Sequence, residues 1–196
     1  MPLTAAKAQS LIDNDIVPLH IPAAPSSILK LAFGSELRLA EMGLTVPARL
    51  VVDRPRVHYN VRANRFYALF MIDLDAPSRA TPVAAQWLHW LVLNIPGRDL
   101  SRGETIVEYV GAAPPQGTGL HRYIVLAVEQ SFKIDTKDLA RISRTSAEGR
   151  AKFNYERFLL QHDSAAKVIA LQWWQSEWDA SVPAIHKQLN PEVGAD

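Results

Sequence analysis

Phe66-Tyr67-Ala68-Leu69-Phe70-Met71-Ile72-Asp73 is the stretch on which the fold turns. It carries no charge until it ends on an aspartate. A run of this length, rich in aromatic and β-favouring residues, suits a strand buried on both faces. Two runs of the same kind lie downstream, Trp87–Ile95 (WLHWLVLNI) and Tyr123–Glu129 (YIVLAVE), and residues 168–174 (VIALQWW) read as a last strand. Shorter β-like runs are Leu29–Phe33, Arg49–Asp53 and Val57–Val61, with Pro55 breaking the chain between the last two. Many short strands separated by turn residues predict an antiparallel, sandwich-like sheet system. The absence of regular strand–helix alternation argues against a doubly wound parallel sheet.

Helices are expected at the ends of the chain. Residues 5–14 read as a short helix that stops before Pro18, and residues 22–27 (PAAPSS) as a loop. Thr145-Ser146-Ala147-Glu148 fits a capping box, in which hydroxyl and carboxylate each satisfy a free backbone N–H. Ala151, Tyr155, Phe158, Leu159 and His162 then share one helical face, so a helix is predicted over about 146–161. A last helix near 182–189 would start close to Pro183, which the first helical turn tolerates.

Composition narrows the function. With 196 residues and 48% apolar content, the chain is long enough for one domain with a sizeable core. Lys plus Arg number 21 and Asp plus Glu 20, for a net charge of +1. No overall field draws nucleic acid or anionic membrane, so any affinity for phosphate must be local. There is no cysteine, which excludes disulfides and thiolate zinc sites. The N-terminus lacks the basic start and apolar stretch of a signal peptide. No run approaches the ~20 apolar residues that span a bilayer. A cytoplasmic location is expected from this lack of address signals.

Chemistry concentrates in three places. Asp73-Leu74-Asp75-Ala76-Pro77-Ser78-Arg79 closes the deciding strand. In extended chain, residues two apart point the same way, so Asp73 and Asp75 could share a face; the plain alternative is a turn aspartate and an aspartate paired with arginine. Pro114-Pro115-Gln116-Gly117-Thr118-Gly119-Leu120-His121-Arg122-Tyr123 runs a Pro/Gly loop into a strand, with His121 at the junction. Glycines allow close backbone approach, and histidine with exposed N–H groups suits a small anion. The alternative is a tight connection with a solvated His-Arg step. His89, inside Trp87-Leu88-His89-Trp90, shares a face with Trp87; a lone histidine in an apolar strand is otherwise a satisfied core residue. Trp173, Trp174 and Trp178 read as core or interface.

Taken together, DLDAPSR at 73–79, WLHW at 87–90 and PPQGTGLHRY at 114–123 resemble, in order and spacing, the two signature regions of the phosphatidylethanolamine-binding proteins. The likeness is dense over about 67–130 and looser at Arg150–Phe153, Gln175–Asp179, Val182-Pro183, Gln188-Leu189 and Ile16–Pro18. It implies a mostly β fold, a large central antiparallel sheet packed on a smaller one, with peripheral helices. It also implies a surface pocket for phosphate-like anions or the phosphatidylethanolamine headgroup, lined or supported by Asp73, Asp75, Trp87, His89, Gly111, Pro115, His121 and Tyr123. His89 and His121 would donate to the anion, with backbone N–H groups around Gly111 to Ala113 adding to them. Asp73 would orient a histidine or accept from the ammonium, and Asp75 would fix the loop through Arg122. The bond before Pro77 is expected to be cis. Two positions depart from the family pattern at the rim: Ala113, where many members carry glycine, and His186, where mammalian members present tyrosine.

The family's members act by occupying partners such as kinases or proteases, so the expectation is a non-enzymatic, monomeric regulatory binder without cofactor or metal. The alternatives are a metal-dependent hydrolase built on the Asp/His cluster, although no compact metal-ligand motif is present, and a scaffold with a vestigial pocket.

Overall fold

The computed structural model describes residues 1–190. Its elements in chain order are α1 (Ala5–Asp13), β1 (Ser27–Ile28), β2 (Lys30–Phe33), β3 (Leu37–Leu39), β4 (Leu44–Thr45), β5 (Arg56–His58), β6 (Phe66–Asp73), β7 (Trp87–Pro96), β8 (Glu104–Val107), β9 (His121–Gln130), α2 (Tyr155–His162), β10 (Lys167–Ser176) and α3 (Val182–Leu189). A seven-stranded sheet runs in the order β1-β10-β9-β6-β7-β8, with β4 also pairing β10; a three-stranded sheet runs β3-β2-β5. The long strands pair antiparallel, and the short β1 and β4 join β10 in parallel.

The unbroken apolar runs are explained by burial on both faces. Along β6, Ala68, Phe70 and Ile72 enter one core and Tyr67, Leu69 and Met71 enter the other. Along β9, Ile124, Leu126 and Val128 alternate with Tyr123, Val125 and Ala127 in the same way. The first core takes Leu11 of α1 and Tyr155 and Leu159 of α2. The second takes Leu31, Phe33 and Leu39 of the small sheet. The large sheet is therefore the middle layer, between helices and the small sheet. Trp173 and Trp174 fall one in each core, and Trp178 is half-buried.

The expected elements at 5–14, 66–73, 87–95, 123–129, 168–174 and 182–189 form close to those bounds. Three expectations are corrected. Arg49–Asp53 is not a strand: Ala48–Val51 is a 3₁₀ turn. Ala48 and Val51 are both buried, and their i, i+3 spacing puts them on one side of such a turn. Of Val57–Val61, only the beginning is strand. The helix expected over 146–161 is confined to Tyr155–His162, with Asn154 rather than Thr145 as its cap, its side chain accepting from Arg157 N at 2.8 Å. Residues 145–153 are turns, with Gly149 at φ +77 and Lys152 at φ +59, values a right-handed helix does not admit.

Candidate functional site

The register brings three strand ends together. Asp73, the last residue of β6, lies opposite Trp87, the first of β7, and opposite Tyr123 near the start of β9. Above these ends lies a cavity of about 240 Å³. Its polar lining comes from Asp73, His89, His121 and His186, and Trp87 forms one wall. Ala76, Pro77, Ala84, Ala113, Pro115, Ala147 and Leu189 supply the rest, which is small and apolar, with no lysine or arginine. The Ala76–Pro77 peptide bond is cis.

Asp73 is buried and has one oxygen for each of two tasks. Oδ1 accepts from Asp75 N at 2.7 Å, a turn of the kind short acidic side chains make with backbone two residues on. Oδ2 accepts from Nδ1 of His121 at 2.8 Å, which fixes that ring. The other ring nitrogen, Nε2, lies 2.9 Å from Thr118 Oγ1, and that hydroxyl also donates to Pro115 O at 2.7 Å.

The turn at Asp73 sends Asp75 away from the cavity. His121 and Arg122 point to opposite sides of β9, and the two aspartates follow them apart. Asp75 is fully buried; its oxygens accept from Arg122 Nε at 2.9 Å, from Arg122 Nη2 at 2.6 Å and from Arg122 N at 2.8 Å. The guanidinium also donates to Asn14 O at 2.5 Å, tying the loop to the end of α1. The shared-face reading of Asp73 and Asp75 is corrected accordingly: Asp73 faces the cavity and Asp75 anchors the loop behind it.

His89 donates from Nδ1 to Val110 O at 2.9 Å. Its ring lies 4.3 Å from that of Trp87 and 5.3 Å from that of Tyr123, centroid to centroid. Burial pushes the His89 pKa down to about 4, outweighing the nearby carboxylate of Asp73, so the ring is neutral near pH 7. Tyr123 lies beneath the histidines and stacks on Trp174. Its hydroxyl is buried without a hydrogen-bond partner among the described residues. Burial, with the Asp73 charge adding to it, holds that phenol well above its ordinary pKa.

Gly111 supports from behind as well. A Cβ there would stand 2.8 Å from both Val51 O and Val52 Cα, so glycine alone lets this segment pack on the 3₁₀ turn. The two rim departures touch each other: His186 Nε2 donates to Ala113 O at 3.0 Å.

Sequence reasoning missed two contributors. Thr118 sat inside the quoted loop, but only the fold shows its hydroxyl against His121. Arg150 is fully buried, and its guanidinium donates to five carbonyls, those of Ser143, Ser146, Leu88, His89 and Glu108. It also stacks 5.3 Å over the Trp87 ring. A lone arginine in a polar stretch carries no local sign of such burial. Burial lowers its pKa to about 10, which leaves it charged at neutral pH.

A larger concavity of about 390 Å³ lies elsewhere, bordered by Asp53, Arg54, Glu108, Tyr109 and Arg144. Two of its polar groups are engaged: Glu108 accepts from Arg144 N at 2.8 Å and Tyr109 Oη donates to Val51 O at 2.6 Å. The 240 Å³ cavity, with its converging histidines, is the better candidate. Among the described residues, no group of three or more His, Asp or Glu side chains is arranged to hold a metal ion, and no helix is long and apolar enough to cross a membrane.

Comparison with known proteins agrees with this fold. The phosphatidylethanolamine-binding protein family matches residues 45–172. Protein A5 of Drosophila melanogaster, whose name proposes an odorant-binding role, is 33% identical over 177 residues, covering 90% of this chain and 83% of the relative. The solution structure of CG7054 superposes with a TM-score of 0.71 at 36% identity, covering 89% of this chain and 98% of that one. The carboxypeptidase Y inhibitor, solved with its cognate proteinase, shares the fold at TM-score 0.75 and 20% identity, covering 91% and 98%. The chain belongs to the phosphatidylethanolamine-binding protein family.

Proposed function

We propose that this chain is a non-enzymatic, monomeric binding protein whose cavity takes a small phosphate-type anion, such as a phosphoethanolamine headgroup. The observation that carries this reading is the convergence of two pre-oriented imidazoles on one concave site. Asp73 fixes His121 and the Val110 carbonyl fixes His89, so neither ring has to be ordered when a ligand arrives. Hydrogen bonds to a charged phosphate are roughly twice as strong as neutral ones, and the apolar walls shield them from water. With no lysine or arginine in the lining, affinity is modest and selectivity rests on hydrogen bonds.

As part of the same proposal, occupancy of the cavity governs docking of a protein partner, a kinase or a serine protease, over the rim formed by Ala113 and His186. The test is a titration of the labelled protein with phosphoethanolamine, followed by NMR. Shifts are expected around Trp87, His89, His121 and Thr118, and both His89→Ala and His121→Ala should weaken binding by about tenfold or more. Unchanged binding in both variants sinks the reading.

A further inference from the structure

The cavity contains three imidazoles, and each has one nitrogen set against a group that can only accept a hydrogen bond. His89 Nδ1 meets Val110 O at 2.9 Å, His121 Nδ1 meets the Asp73 carboxylate at 2.8 Å, and His186 Nε2 meets Ala113 O at 3.0 Å. A neutral imidazole owns a single N–H. In His89, neutral at pH 7, the Val110 carbonyl uses that N–H and the second nitrogen is left as a lone pair. For His121 the second nitrogen faces the Thr118 hydroxyl. For His89, Nε2 has no partner among the described residues. An unprotonated oxyanion oxygen arriving there would set lone pair against lone pair.

We propose that the cavity selects oxyanions by their protons: a bound phosphate or phosphate monoester shares its proton with Nε2 of His89, whereas an oxyanion without one, such as sulfate or a phosphodiester, binds well only when that ring takes a proton from solvent. This inference rests on the anion-binding reading above and adds a rule for which anions qualify. The chemistry in common is an oxyanion that carries a proton near neutral pH, and a free monoester differs from an intact lipid headgroup in this respect.

The surroundings of His89 set the difficulty of protonating it. Asp73 on β6 and the ring of His121 on β9 face it, with His186 on α3 lining the same cavity; the buried guanidinium of Arg150 donates to the His89 carbonyl behind β7. Trp87 and Tyr123, which pack on the ring, are uncharged. Burial and the Arg150 charge disfavour an imidazolium, Asp73 favours one, and the pKa settles near 4. At pH 7, taking a proton from solvent then costs roughly a thousandfold in binding constant. A phosphate monoester, whose second ionisation lies near neutrality, brings the proton with it.

The experiment is isothermal titration calorimetry on the wild-type protein with inorganic phosphate, methyl phosphate, sulfate and dimethyl phosphate. Each is measured at pH 7.5 and pH 5.5, in two buffers of different ionisation enthalpy. At pH 7.5, phosphate and methyl phosphate should bind at least tenfold more tightly than sulfate and dimethyl phosphate. Between the two pH values, sulfate affinity should rise by about tenfold per unit, with about one proton taken from buffer per anion bound. Nitrogen-15 NMR of the histidine rings should find His89 with its proton on Nδ1 in the free protein, and protonated on both nitrogens once sulfate is bound. Equal affinities with no proton uptake, or a His89 ring already doubly protonated at pH 7.5, would overturn the inference and leave the anion-binding reading standing. Failure of all four anions to bind at either pH would overturn both.

Discussion

At the scale of the residue, what matters is which side chains are spoken for before any ligand arrives. His89 is buried and neutral, and in the unfolded chain the same imidazole titrates at its ordinary value near 6.5. Between pH 6.5 and about 4 the unfolded state therefore binds more protons than the folded one, so stability falls as pH is lowered through that window. The loss reaches about 3 kcal/mol at its lower end. Urea unfolding at a series of pH values should show this slope, and a His89→Gln variant should lack it. Asp73 and Asp75 illustrate how far single residues were legible in the sequence. Their position at a strand end singled them out. Their opposite orientations follow from the hydrogen bond that the Asp75 N–H donates to Asp73 Oδ1, which no periodicity encodes. Arg150 was legible least of all, because its role depends on five carbonyls that only the folded chain assembles.

At the scale of the element, the long strands announce themselves and the short ones do not. β6, β7, β9 and β10 are read directly because burial on both faces leaves their sequences with few polar residues. β3, β4 and β8 are two to four residues long and exist through pairing with distant partners, so nothing local marks them. The misplaced start of α2 has a similar origin. Thr145 to Glu148 has the chemistry of a helix start, but Arg150 draws on the Ser143 and Ser146 carbonyls. Gly149 in the left-handed region completes the break. Removing the real cap by Asn154→Ala should therefore cost about 1 kcal/mol of stability in thermal or urea unfolding. Thr145→Ala, at an exposed turn, should cost less than half of that.

At the scale of the whole molecule, one sheet serves two cores, and neither core can be lost alone. Leu126 of β9 packs toward the helices and Leu69 of β6 toward the small sheet, yet both belong to adjacent strands of the middle layer. Leu126→Ala and Leu69→Ala should each cost about 2–5 kcal/mol. In either variant, scanning calorimetry should still find a single transition whose calorimetric and van't Hoff enthalpies agree, as two cores built on one shared sheet require. The layered architecture was legible from the apolar runs and the rim position of His186 from the family resemblance, whereas its hydrogen bond to Ala113 across the fold was not. In the cavity wall, Trp87 lies against both the Arg150 guanidinium and the His89 imidazole. An indole emits light according to the charges beside it, so this tryptophan is a built-in optical reporter. Its fluorescence will follow the arrival of a proton on His89 in the unlabelled protein, and Trp87→Phe identifies its share of the signal.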